Sequence, residues 1–293
     1  MIKNWQKHRG LVLGVICLII LVLTSIIYNS VYSLASTHQS KTEQQPQSVE
    51  IALNAGHTTN TAATSDAIVN AKDYEQFWIW TPPKDDTQLS QAHTLYILQG
   101  EIRPPNIPYY RPNTNENADH AALATLTPQG LGVRSLDDKK IWLVYRATSQ
   151  EWSDEVMAQL IERLEKWQRA GNQVMGIQID YDAPTYQLDK YAQLLRNVRK
   201  QLPAHYQLSV TGLLDWSNQA EEPQFMQLGD AIDELVIQTY QGTTTLTNYS
   251  RYLKKLENVP FDFKVGIIEG GQWHGAGFLE NSPHFKGYVV FLR

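Results

Sequence analysis

The sequence holds a single cysteine, Cys17, among 293 residues. One thiol excludes internal disulfides and any cysteine-ligated metal cluster. Positive charge is also scarce: 25 Lys and Arg stand against 30 Asp and Glu, a formal net charge of −5. Lys3, Lys7 and Arg9 precede the first hydrophobic run and no acid occurs before Glu43, so the rest of the chain sets 22 bases against 30 acids. An acidic body argues against nucleic acid as a partner, because neutralising phosphates needs stripes of Lys and Arg. The eight histidines show no His-x-x-x-His or comparable ligand spacing. A Gly-x-Ser-x-Gly elbow and a phosphate-cradling glycine loop are absent as well, and so is a thiol outside the apolar segment. No metal and no cofactor is expected. Glycine, at 17, and proline, at 13, are too few for a collagen-like or low-complexity chain. Aromatics are plentiful: eight Trp and fifteen Tyr suit large flat ligands, or serve as ordinary core.

Leu11–Tyr28 is 18 residues without a charge, following a basic flank at residues 1–10. As a helix it would span about 27 Å, close to a bilayer's hydrocarbon thickness. Its basic flank should remain in the cytoplasm, so the following chain lies outside. The expectation is a single-pass inner-membrane anchor with the working domain in the periplasm or outside the cell. A cleavable signal peptide competes with it, since Ser33-Leu34-Ala35 has a small-x-small pattern. Bulky Ile16 before Cys17 disfavours lipidation. Residues 29–71, rich in Ser, Thr, Gln, Asn and Ala, read as a flexible linker. Within it Val49–Leu53 is a weak strand candidate, and the folded domain is expected over 72–293.

Eight short apolar runs follow: Phe77–Trp80, Thr94–Leu98, Ile141–Tyr145, Val174–Ile179, Gln207–Thr211, Glu234–Thr239, Lys264–Ile268 and Tyr288–Leu292. Most are continuous rather than alternating, as strands buried on both faces should be. Amphipathic helices are predicted between several of them. Asp154–Arg169 is opened by Ser153 as N-cap and stopped by Gly171, and Leu188–Gln201 ends before Pro203. Shorter helices are expected over about Pro223–Ala231 and Asn248–Leu256. Strand–helix–strand repeats mean right-handed crossovers and a parallel sheet, here an irregular (β/α)8 TIM barrel or an open doubly wound sheet. The irregularities are the Pro/Gly-rich Ile102–Lys140 stretch and the lack of a helix after the last strand.

In a parallel barrel the site lies where the strands end. Trp80 follows the first run and Gln99 with Glu101 the second. Arg146 follows the third, Asp180 with Asp182 the fourth and Asp215 with Trp216 the fifth. Gln238 and Tyr240 close the sixth, and Glu269, Trp273 and His274 follow the seventh. Asp180 and Asp182 are two residues apart, so both point to one side. Two carboxylates that close raise the pKa of one, and a protonated carboxyl can donate to a leaving oxygen. A solvated helix-capping pair, or a weak oxygen-ligand cation site, would look the same in sequence. Trp80, Trp216, Tyr240 and Trp273 could stack on sugar rings whose rims bond to Gln99, Gln238, Gln241 and Gln272, or could pack the barrel top.

Gly176-Ile177-Gln178-Ile179-Asp180-Tyr181-Asp182-Ala183-Pro184 resembles the fourth-strand signature of glycoside hydrolase family 18, Asp-Gly-x-Asp-x-Asp-x-Glu. Met175 and Gln178 stand for its first two acids, Asp180 for the third, and Asp182 for the catalytic Glu. Gln238-Thr239-Tyr240-Gln241 is similar to that family's sixth-strand Met-x-Tyr-Asp. The resemblance implies chemistry in which the substrate's own N-acetyl group is the nucleophile. Asp for Glu retracts the acid by a methylene, and a displacement on the order of 1 Å can cost about 10²-fold in rate. Gln178 removes part of the charge relay. A two-carboxylate scheme with Asp182 as acid and Glu269 as nucleophile or base also fits.

Across residues 77–293 the chain resembles a bacterial family, domain of unknown function 3142, grouped with glycosidase-type TIM barrels. The stretches Phe77–Trp80, Gln178–Pro184, Leu208–Trp216, Val236–Gly242 and Gly266–Trp273 carry that likeness. It implies the barrel and leaves the chemistry open. The expectation is an exported, membrane-anchored, glycoside hydrolase-like barrel acting on envelope or environmental polysaccharide by carboxylate acid/base chemistry. Its partners would be a poly- or oligosaccharide and, through the N-terminal helix, a membrane. The alternative is a catalytically inactive carbohydrate-binding barrel serving envelope polysaccharide assembly.

Overall fold

The structure, a computed structural model, describes residues 68–81, 87–104 and 123–293. The expected anchor, the strand candidate Val49–Leu53 and the linker up to residue 67 lie outside the described residues. Among those described, no helix is long and apolar enough to cross a membrane. Chain order gives β1 (Gln76–Ile79), α1 (Thr87–Gln91), β2 (Thr94–Arg103), β3 (Lys140–Ala147), α2 (Asp154–Arg169), β4 (Gln173–Asp180) and α3 (Leu188–Gln201). It continues through β5 (Gln207–Leu213), α4 (Pro223–Gly229), β6 (Glu234–Gln238), α5 (Tyr249–Leu253), β7 (Phe263–Ile268) and β8 (Phe285–Phe291).

Every neighbouring pair from β1 to β8 is parallel, and β1 pairs with both β2 and β8. That second pairing closes the sheet, so the structure is an eight-stranded barrel rather than an open doubly wound sheet. Helix α2 starts where Ser153 accepts a hydrogen bond from the Val156 N–H, an N-cap worth about 1 kcal/mol. It ends before Gly171, whose φ of 90° an L side chain would resist. Gly176 lets β5 approach β4, since a Cβ there would lie 1.9 Å from the Gln207 carbonyl oxygen.

The irregularities fall where turn residues cluster. A short strand, Thr125–Pro128, adds antiparallel to the far end of β2. Between β1 and β2 the only described helix is the five-residue α1. Helix α5 stops at Leu253 and continues as a 3-10 turn to Leu256, and another 3-10 turn, Gly277–Asn281, precedes β8. Packed structure begins earlier than the boundary expected at 72. Val69 is buried and exchanges backbone hydrogen bonds with Gly271 and Gly270, both 2.9 Å, while Ala71 is buried too. The last residues assigned to the linker therefore belong to the barrel body.

Strand alternation builds two layers. Outward-facing Leu95, Ile97, Leu143, Ile177, Val210, Leu235, Ile237 and Val265 pack with the helices in one continuous core. Inward-facing Trp78, Tyr96, Trp142, Val144, Val236 and Val289 form a second cluster inside the barrel. Here Tyr96 and Trp142 lie parallel with centroids 6.0 Å apart. Gly266 makes room for Trp78, whose ring would sit 2.7 Å from a Cβ at that position.

The barrel floor carries a polar chain. Lys264 Nζ lies 2.7 Å from Glu234 Oε2 and donates to the Tyr96 hydroxyl at 2.8 Å. Tyr96 and Ser209 both donate to Glu234 Oε1, at 2.8 and 2.9 Å. Gln178 donates to Ser209 at 2.9 Å and accepts from the Trp78 indole. Burial, reinforced by the Glu234 carboxylate, pushes the Tyr96 hydroxyl well above its ordinary pKa and keeps it a donor. Each of these buried polar groups meets a partner, as burial demands.

Candidate functional site at the barrel mouth

Asp180 is the last residue of β4, two positions past inward-facing Gln178, so alternation carries it to the top of the barrel interior. Its Oδ1 accepts a hydrogen bond from Thr211 on β5 at 2.7 Å and a longer one from Gln238 on β6 at 3.4 Å. Burial, more than any neighbour, raises its pKa. The Asp182 charge pushes the same way, while Thr211, Arg146 and Gln238 oppose it. Asp182 lies two residues on, exposed, and makes no hydrogen bond or ion pair among the described residues.

Arg146, near the end of β3, stands in register between Glu101 on β2 and Asp180 on β4. Its guanidinium carbon lies 5.6 Å from the Trp80 ring centroid, within cation–π range. Trp80 meets Phe291 of β8 edge-on at 5.3 Å, and Phe291 meets Tyr240 at 5.8 Å. Burial, with help from the Asp180 and Asp182 charges, raises the pKa of the Tyr240 hydroxyl well above its usual value. Trp80, Arg146, Asp180, Gln238 and Tyr240 therefore meet at one mouth with Asp182 beside them.

The other expected site residues have contacts of their own. Lys264 faces the barrel axis, so alternation along β7 turns Glu269 away from it. The Glu269 carboxylate instead accepts from the Arg293 backbone N–H at 3.1 Å. Trp216 is fully buried, with its indole donating to the Ala183 carbonyl at 2.8 Å. Trp273 is buried against Tyr249, with centroids 4.3 Å apart. Asp215 is the second residue of the 3-10 turn Leu214–Gln219, held by backbone N–H groups of its own residue and Trp216. Glu101 lies 3.7 Å from Arg103.

Gln99 is also diverted. It lies in phase with outward-facing Leu95 and Ile97, so its side chain points toward α2. There it accepts from Arg163 and Trp167 at 2.7 and 2.8 Å and donates to the Leu98 and Leu131 carbonyls. Two mouth residues, Thr211 and Phe291, carry no mark in the sequence reading. Both are within reach of the two-residue period, since they lie in phase with inward-facing Ser209 and Val289.

Among the described residues, no group of three or more His, Cys, Asp or Glu could hold a metal ion. The arrangement instead sets a buried carboxyl, its pKa raised by burial, two residues from a solvent-facing carboxyl group and against an aromatic wall.

Fold and site together define a closed parallel (β/α)8 barrel with an acidic, aromatic mouth at its carboxyl-terminal face. The profile of the family described as "Domain of unknown function (DUF3142)" matches residues 146–246, about a third of the chain. The matched stretch contains Arg146, Asp180, Asp182, Thr211, Gln238 and Tyr240, and it excludes Trp80, Glu269 and Phe291. No curated protein matches the chain. Among solved structures it is similar to the Bacillus cereus spore cortex-lytic enzyme SleL, at 15% identity and a TM-score of 0.39. That similarity covers 67% of this chain and 52% of the other, so the chain spans about half of that structure's length. A likeness of this size carries no argument about activity.

Proposed function

We propose that the chain is a glycoside hydrolase-like barrel, exported and anchored through residues 11–28, that cleaves an envelope or environmental polysaccharide at the mouth around Asp182. One observation carries this reading: a buried carboxyl whose pKa burial raises, Asp180, sits beside an exposed and unbonded carboxyl, Asp182, next to the Trp80–Phe291–Tyr240 aromatic wall. Asp182 donates the proton to the leaving oxygen, and Asp180, whose Oδ1 is fixed by Thr211 and Gln238, stands two residues before it. Glu269 drops out as nucleophile because it faces away from the axis. The nucleophile is then the substrate's own acetamido group, as the resemblance to glycoside hydrolase family 18 implies.

The test is release of reducing ends from N-acetylated oligosaccharides by the full-length protein in detergent. Asp182→Asn should lower turnover by about 10²–10⁴, the usual share of general acid catalysis, while ligand binding persists. Equal turnover by wild type and variant removes Asp182 from the mechanism. One observation favours a second reading. Gln178, where the related signature has an acid, is bound to Trp78 and Ser209 and cannot relay charge to Asp180. A carbohydrate-binding barrel without turnover would bind these sugars and release no reducing ends.

A further inference from the structure

Arg146 is the unusual group of the mouth. It stands in register between two carboxylate residues, Glu101 and Asp180, yet forms an ion pair with neither. Glu101 is turned instead to Arg103. The Arg146 guanidinium makes no hydrogen bond among the described residues, and it is exposed, lying over the Trp80 ring. A guanidinium against an aromatic face keeps its five N–H donors free at the edge, in the fork geometry that matches a carboxylate. The mouth therefore holds a preset anion receptor on the strand next to Asp180, at the place where a sugar stacked on Trp80 would project its substituents.

We infer that the glycan bound at this mouth carries a carboxylate, which Arg146 grips in a bidentate pair while the sugar ring stacks on Trp80. This deepens the hydrolase reading and rests on it for the position of the cleaved bond, though not for the anion contact itself. A uronate carboxyl and the lactyl ether carboxyl of an amino sugar supply the same chemistry.

The test is calorimetric binding to the full-length protein in detergent at low salt. One arm uses heparosan oligosaccharides, which alternate N-acetylglucosamine with glucuronate, beside the same oligomers after reduction of their carboxyls to alcohols. A second arm uses peptide-free glycan strands bearing lactyl groups, beside their carboxyl-reduced form. The acidic member of at least one pair should bind about tenfold tighter or more, as a charge-assisted bidentate contact warrants. Arg146→Gln should abolish that difference, and Arg146→Lys should retain part of it. The arm that shows the difference identifies the source of the carboxylate.

Equal affinity for both members of each pair overturns the inference, as does an Arg146→Gln variant that weakens both members alike. Should Arg146→Gln fail to fold, Arg146→Lys decides: with charge kept and the fork lost, an unchanged preference overturns the bidentate pair. Tight, carboxylate-dependent binding without release of reducing ends keeps the anion site and sinks the hydrolase reading. Turnover of neutral and acidic oligomers at equal rates does the reverse.

Discussion

The floor and the mouth of this barrel are built from the same kinds of residue and treated in opposite ways. At the floor a lysine and a glutamate are paired at 2.7 Å, and their remaining donors and acceptors go to Tyr96 and Ser209. At the mouth an arginine and two aspartates share a rim without any ion pair, and Asp182 has no partner among the described residues. A satisfied polar network holds strands in register, whereas an unsatisfied one is free to bind something else. The contrast follows the division of labour in parallel barrels, where stability resides at the amino-terminal face and chemistry at the carboxyl-terminal one.

The contrast breaks most visibly at the floor. Lys264→Met strands the Glu234 carboxylate inside the barrel, which should cost about 3–5 kcal/mol. Thermal unfolding should then fall by on the order of 10 °C. Adding Glu234→Leu should recover most of that loss, since a buried pair replaced by apolar groups is close to neutral. No recovery in the double variant would mean that the pair contributes more than charge neutrality.

At the mouth the sign reverses. The raised pKa of Asp180 means the folded chain holds this proton more tightly than the unfolded chain, where an aspartate titrates near about 3.9. Its contribution to stability therefore falls as pH climbs from that value through the folded pKa, and the cost is fully present above it. An asparagine in place of the acid keeps an oxygen for Thr211 and Gln238 and removes the charge. Asp180→Asn should raise the melting temperature by a few degrees near neutral pH, with no gain at about pH 4. A uniform shift at all pH values would show that packing, not ionisation, is responsible. The smallest effect sharpens the limits of the site: Glu269→Gln should change turnover by less than about twofold, because general acid–base effects require hydrogen-bond reach of the substrate. A loss of tenfold or more would return Glu269 to the mechanism.

Much of this contrast is legible in the sequence. All eight barrel strands lie within a few residues of their apolar runs, and helix Asp154–Arg169 is readable from end to end because Ser153 and Gly171 mark both termini. Asp180, Trp80, Arg146, Gln238 and Tyr240 read as mouth residues because strand ends in a parallel barrel converge. The reading fails where facing depends on tertiary context. Lys264 points into the barrel, and in that phase Glu269, placed at the mouth by its position after the strand alone, falls on the outward side. Trp216 and Trp273 follow strand ends in the sequence but are drawn under the loops by indole burial and, for Trp216, by a hydrogen bond to a carbonyl. Gln99 stands in phase with outward-facing Leu95 and Ile97, so alternation along β2 takes it to the helix side.

The closure of the sheet has a kinetic side. Strand β1 meets β8 through only two residue pairs, Phe77 with Val290 and Trp78 with Phe291, roughly two hundred positions apart in the chain. Such a seam has the longest loop to close and few backbone bonds to reward it, so it forms late and opens first. Phe291 belongs both to that seam and to the aromatic wall of the mouth. Whatever stacks there thus acts as a clasp on the barrel, slowing amide exchange along β1 and β8, and each spontaneous parting of the two strands dismantles the wall on which it rests.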